Sequence, residues 1–135
     1  MLTVLFACVH SAGRSQMAAA LFNVTADPAK ARAWAAGTHP AAQVNPVVVQ
    51  AMHERGIDLS TATPQRLTPA LAGRAQWLIT MGCGDECPVV PGLERADWPL
   101  ADPAHQSIET VRLIRDEIEH RVRQFVAVHQ LDRTL

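Results

Sequence analysis

The first apolar run of the chain, Leu-Thr-Val-Leu-Phe-Ala at residues 2–7, is short and bounded by small and polar residues, the signature of a buried strand. Gln16 to Phe22 follow it, rich in strong helix formers, and predict a helix with Met17, Ala18, Leu21 and Phe22 on one side. Asp27-Pro28 breaks that pattern, and Arg32 to Gly37 read as a second strand. Asn45-Pro46 is a helix start by its cap and first-position proline, with Val48, Ala51 and Met52 as the apolar stripe and Gly56 as the stop. Thr68-Pro69 opens a short third helix ending near Gly73, Gln76 to Met81 read as the next buried strand, and Arg95 to Trp98 as a small fourth. In the last helix Ile108, Val111, Ile118, Val122 and Phe125 share one face, while Glu117 with Arg121 and Glu119 with Arg123 form favourable pairs on the other.

Strands alternating with helices predict the α/β class: right-handed crossovers and a mostly parallel sheet covered on both sides. Such sheets bind ligands at the carboxyl ends of their strands, and the loops after residues 7 and 81 leave from that edge. The cysteines in those loops are therefore expected to meet. A length of 135 residues fits one domain, 1–135, able to bury a core without staples, and no internal repeat is visible. With a net charge of −1 and scattered basic residues, neither nucleic acid nor a membrane is the expected partner, and a small ligand is. No apolar run reaches transmembrane length and the N-terminus lacks a secretory pattern, so a cytoplasmic location is expected. The three cysteines should then stay reduced between turnovers.

Chemistry concentrates in Cys8-Val9-His10-Ser11-Ala12-Gly13-Arg14-Ser15, at the junction of the first strand and first helix. First-turn N–H groups lack intrahelical partners and carry the positive end of the helix dipole, and Gly13 lets the backbone close round a ligand. Arg14 at a helix start opposes that dipole and is best tolerated with an anion between the two; its planar fork suits a tetrahedral oxyanion. A helix N-terminus beside a guanidinium also favours the thiolate of Cys8, the nucleophilic form. Ser15 is the hydroxyl partner expected for that sulfur. His10 is open to two tasks, favouring the thiolate or shaping the loop by hydrogen bonding, and the second is the reading adopted here.

Met81-Gly82-Cys83-Gly84-Asp85-Glu86-Cys87-Pro88 holds the other two cysteines. Cys-x3-Cys with no histidine nearby is a poor zinc site, so no metal is expected and a redox role fits Cys83 and Cys87 better. Asp102-Pro103 lies just before the long helix.

A cysteine, five residues, then Arg14-Ser15 at a strand-to-helix turn near the N-terminus resembles the low-molecular-weight protein tyrosine phosphatases and the arsenate reductases built on the same fold. Gly37-Thr38, Asn45-Pro46, the Cys83 to Cys87 loop and Asp102-Pro103 extend the resemblance over nearly the whole chain. It implies a three-layer sandwich around a four-stranded parallel sheet, with Cys8 as nucleophile, Arg14 and the loop Val9 to Ser15 binding the oxyanion, and Asp102 as general acid. For an arsenate reductase it further implies a second thiol, Cys83 or Cys87, and an external reductant, either thioredoxin or a small thiol such as mycothiol, with no tightly bound cofactor. The alternative is a phosphatase hydrolysing phosphate monoesters through a phosphocysteine. Its aromatic substrate walls are missing: Ala104-His105-Gln106 follow Asp102-Pro103, and the chain has no tyrosine. Ser11 departs from the family, which usually has an asparagine there in a left-handed conformation, a conformation serine tolerates less well.

Overall fold

The computed structural model describes residues 1–82 and 90–133. Its elements, in chain order, are β1 (Leu2–Cys8), α1 (Arg14–Thr25), β2 (Ala31–Gly37), α2 (Pro46–His53), α3 (Pro69–Ala72), β3 (Trp77–Thr80), β4 (Glu94–Asp97) and α4 (Ile108–Val128). The strands form one parallel sheet in the order β2-β1-β3-β4. The expected α/β class and four-stranded parallel sheet are both present. Cys8 pairs with Gly37 and Ala7 with Thr80, so the carboxyl ends of β1, β2 and β3 share one edge.

Side chains alternate across a strand, and β1, the most enclosed strand, shows what this does. Val4, Phe6 and Cys8 point into the larger core shared with α1, α2 and α4, while Leu5 and Ala7 point into a smaller one with Leu67, Ala72 and Leu78. Phe6 packs edge-on against Phe22 of α1 and tilted against Trp98, with ring centroids 6.1 and 5.5 Å apart. Cys8 thus ends a strand whose neighbours on both faces are fixed.

Helix boundaries follow the caps. Asn45 Oδ1 accepts from Val47 N at 2.9 Å, Thr68 Oγ1 from Leu71 N at 3.1 Å and Ser107 Oγ from Thr110 N at 3.3 Å. α2 stops at His53, before the expected glycine: Gly56, at φ 72°, sits in the turn that follows, where Arg55 N and Ile57 N both bond Met52 O. α1 begins at Arg14, earlier than the apolar pattern alone indicates. In α4 the expected face is buried at Val111, Ile118, Val122 and Phe125 and extends to Ile114, Val126 and one cation, Arg115, which is 4% exposed.

Arg115 is tolerated there because its donors are used. Nη1 donates to Ala51 O and to Glu54 Oε1, each at 2.8 Å, and Nε to Asp116 at 2.9 Å. Glu54 also takes Arg112 at 2.6 Å, which ties α2 to α4. The hydrogen bond from Arg112, and then that from Arg115, holds the Glu54 carboxyl down from 4.5 to about 2. A carboxyl depressed by folding stabilises fully above its unfolded value and loses that contribution as pH falls through the folded one. Thermal stability is therefore expected to fall between pH 4.5 and about 2 more steeply in the wild type than in Glu54→Gln. Parallel melting-temperature curves for the two proteins across that range would rule out this linkage.

The outer edge of β2 is closed by side chains. Asn23 Oδ1 accepts from Ala33 N at 2.8 Å and its Nδ2 donates to Ala33 O at 3.1 Å, while Gln65 Nε2 donates to Ala35 O at 3.0 Å.

Candidate active site

The loop between β1 and α1 is shaped by the segment that follows β2. Thr38 N bonds Cys8 O at 3.2 Å, His39 N bonds Val9 O at 2.8 Å, Ala41 N bonds His10 O at 2.9 Å and Asn45 N bonds Ala12 O at 2.9 Å. Four loop carbonyls are thereby drawn to one side. In a trans peptide the N–H points opposite the carbonyl, so the amides of Val9, His10, Ser11 and Gly13 turn the other way. Such a ring of N–H groups at a helix start is an anion cradle. Gly37 lets the strap come this close: a Cβ there would lie 2.7 Å from Val9 O. His10 Nδ1 contacts His39 O at 2.9 Å, the loop-shaping bond expected of it.

Cys8, 2% exposed, closes the floor, and its sulfur lies 3.1 Å from Ser15 Oγ, the expected partner. Ser11, fully buried, adopts φ 50°. A left-handed serine is costly, and hydrogen bonds offset that cost: its Oγ is 2.8 Å from Ser15 Oγ and accepts from Gln16 Nε2 at 3.3 Å. No side chain caps α1 and its first turn has no acidic residue, so nothing in the helix itself balances the positive end.

Arg14 is 7% exposed and crosses the site: Nη1 donates to Leu100 O at 3.0 Å and Nη2 lies 3.7 Å from Asp102 Oδ2. Gly82 makes room for it, because a Cβ there would overlap Arg14 Nη1, and its φ of 102° suits glycine alone. Asp102, an exposed residue, is oriented by Ala104 N, which donates to its Oδ1 at 2.9 Å. Pro103 packs on the loop at Gly13, where a Cβ would overlap Pro103 Cγ. Gly13 is thus required by protein packing, a different reason from the close approach to a ligand expected from sequence. Cys8, Arg14, Asp102, Pro103 and Ala104 meet with the loop around a cavity of about 40 Å³. Since one water needs roughly 10–15 Å³, a group the size of a tetrahedral oxyanion fills it.

Cys83 and Cys87 lie outside the described residues. Up to Met81 the chain runs beside β1, with Met81 N on Ala7 O at 2.7 Å, so that segment leaves the sheet next to the Cys8 strand.

This arrangement has relatives. The family model described as low molecular weight phosphotyrosine protein phosphatase matches residues 3–135. The chain belongs to that family. Among its relatives, a putative arsenate reductase of Halobacterium salinarum is 38% identical over 121 residues, 87% of this chain and 85% of that protein. A glutaredoxin arsenate reductase of Synechocystis is 32% identical over 127 residues, 92% of this chain and 95% of that one. The solved structure of a thioredoxin-dependent arsenate reductase of Corynebacterium glutamicum has a TM-score of 0.82 and 38% identity. That match covers 97% of this chain, which spans 63% of that longer one.

Within this phosphatase family fold, Gln16, Gly82, Pro103 and the Leu100 carbonyl are parts of the site that the sequence reading missed. Gln16 carries the one available signal: a polar residue where the helix pattern is apolar on nearly every side. The others act through contacts between distant segments: Pro103 is visible in sequence only as the companion of Asp102, and its contact with Gly13 leaves no local pattern.

Proposed function

We propose that this protein reduces arsenate to arsenite through a covalent Cys8 adduct. The cavity carries the reading: it is large enough for a tetrahedral oxyanion, lies between a ring of amides and a guanidinium, and is walled by Pro103 and Ala104, with no phenylalanine, tyrosine or tryptophan among the described residues that line it. The arsenate reductases among its relatives support the same choice.

In the proposed sequence the Cys8 thiolate attacks arsenic(V), forming a sulfur–arsenic bond, and an oxygen leaves as water with a proton supplied by Asp102. The loop amides and Arg14 hold the charge on the remaining oxygens. A second thiolate attacks the Cys8 sulfur, forming a disulfide; the sulfur–arsenic electron pair passes to arsenic, which leaves as arsenite. Two thiols are oxidised by two electrons and one arsenic is reduced by two. Cys83 is the first candidate for the second thiol, with Cys87 then attacking Cys83 to give a disulfide that an external dithiol protein reduces. The alternative attacker is a small thiol such as mycothiol. Thioredoxin- and glutaredoxin-type relatives support an external reductant, and no tightly bound cofactor enters the cycle. A single domain working in the reducing cytoplasm fits these needs. Hydrolysis of phosphate monoesters by the same loop is the second reading, supported by the family.

The deciding assay measures arsenate-dependent oxidation of thioredoxin, and separately of small thiols, beside hydrolysis of an aryl phosphate. Arsenate turnover that exceeds ester hydrolysis is expected; the reverse order favours the phosphatase. Under the relay, Cys83→Ser and Cys87→Ser each stop thioredoxin-driven multiple turnover, and Cys87→Ser accumulates a Cys8 to Cys83 disulfide detectable by peptide mass. Full turnover of both variants with a small thiol alone would leave Cys8 working without the relay.

A further inference from the structure

Behind the Cys8 sulfur runs a chain of polar side chains: Ser15 Oγ at 3.1 Å, Ser11 Oγ 2.8 Å beyond it, and Gln16 Nε2 a further 3.3 Å on. Ser11 and Ser15 are fully buried and Gln16 is 7% exposed, so solvent does not redirect these groups. Each serine hydroxyl has one proton to give, while an amide nitrogen donates and never accepts. With Gln16 Nε2 facing Ser11 Oγ, Ser11 receives a proton contact from Gln16 and is left to donate its own to Ser15. When Cys8 is a thiolate and has no proton to give, Ser15 can then donate to the sulfur across the same 3.1 Å contact. In the reverse direction, with a Cys8 thiol donating inward, Ser11 would accept from both Ser15 and Gln16, and among the described residues no acceptor would take its own buried proton.

We propose that Gln16 is a positioning residue that sets this direction, so that Ser15 presents its hydroxyl proton to the Cys8 sulfur and the reactive thiolate is favoured. It acts through Ser11 and Ser15, with no hydrogen bond to the sulfur and no place in the cavity lining. It also explains how a serine serves at position 11: an asparagine there would carry its own amide donor, whereas Ser11 obtains a defined direction from the amide of Gln16. The proposal rests on the reading of Cys8 as the nucleophile.

The test is the pH dependence of Cys8 alkylation by iodoacetamide, followed on the Cys8 peptide by mass spectrometry. Three variants are compared with the wild type: Gln16→Met, of matched length without polar hydrogen; Gln16→Glu, which above the carboxylate range can only accept; and Gln16→Met with Ser11→Asn. Among the described residues, Arg14 from α1, His10 from the loop and Asp102 from the segment before α4 are the charged or titratable groups lining the same cavity. All three are retained in each variant. Because hydrogen-bonded chains polarise one another modestly, the midpoint of the profile should rise by roughly 0.3 pH unit or more in Gln16→Met, and further in Gln16→Glu. Ser11→Asn should bring Gln16→Met back toward the wild type, since asparagine donates to Ser15 and accepts the left-handed backbone more readily.

A smaller rise in folded Gln16→Met, or no recovery on adding Ser11→Asn, would reduce Gln16 to a packing residue and overturn the proposal. Should Gln16→Met fail to fold, Gln16→Glu decides by the same threshold. The profile reads thiol ionisation and not turnover, so it holds whether or not arsenate is the substrate. Alkylation at Cys8 with no pH-dependent limb in the wild type would instead remove the nucleophile reading itself.

Discussion

Cys8→Ser is expected to lower arsenate turnover by on the order of 10³-fold or more, to background, while phosphate still binds and the fold is kept. The substitution exchanges one atom at a site 2% exposed, and the serine hydroxyl can keep the contact with Ser15 that the sulfur makes at 3.1 Å. The cradle does not depend on the sulfur, since the strap from Thr38 to Asn45 fixes the loop by backbone bonds. What disappears is the sulfur that the proposed sequence uses as nucleophile, because a serine hydroxyl stays protonated near neutral pH. Steady-state reduction assays and calorimetric titration with inorganic phosphate separate the two effects. Residual turnover above about a tenth of wild type would take the nucleophilic role away from Cys8.

Arg14→Lys should cost about 10²-fold in kcat/KM, with KM and kcat both affected. Arg14 reaches Leu100 O with Nη1 and lies 3.7 Å from Asp102 with Nη2, leaving the planar fork set across the mouth of the cavity. An ammonium is a single point of charge. It can satisfy the carbonyl, the carboxylate or the anion, but cannot span all three in one geometry. An unchanged dependence of rate on arsenate concentration would show that the guanidinium does not contact the substrate.

Most of the fold is legible in the sequence because its elements announce themselves locally. β1 is apolar at every position but Thr3, Asn45-Pro46 and Thr68-Pro69 pair a cap with a proline, and α4 repeats on one face over five turns. α1 is harder. Arg14 through Ala19 are all buried, so the 3.6-residue alternation that marks a surface helix is absent, and its start is hidden inside the loop motif.

The candidate site divides in the same way. Cys8, Arg14 and Ser15 are readable because they share one turn and their spacing follows from its geometry. Asp102 is readable from its proline and its place before α4. Gly82 beneath Arg14 and Pro103 upon Gly13 join segments far apart in the chain; only the folded sheet brings them together, and a glycine beside a cysteine reads simply as a bend. Arg115 shows the same limit: its charge reads as surface, while its place inside the α2–α4 contact depends on Glu54 and the Ala51 carbonyl.

The way Asn23 and Gln65 occupy β2 bears on how the molecule meets other copies of itself. An outer strand with unsatisfied backbone groups invites a foreign strand to add on, the first step toward aggregation. On the β2 side an incoming strand would have to displace both bonds of Asn23 at Ala33 and that of Gln65 at Ala35 before gaining any of its own. At the opposite end the sheet stops at β4, only four residues long and charged at Glu94, Arg95 and Asp97. One margin is therefore defended by occupied hydrogen bonds and the other by brevity and charge, so neither outer strand of the described sheet readily takes on a strand from another copy.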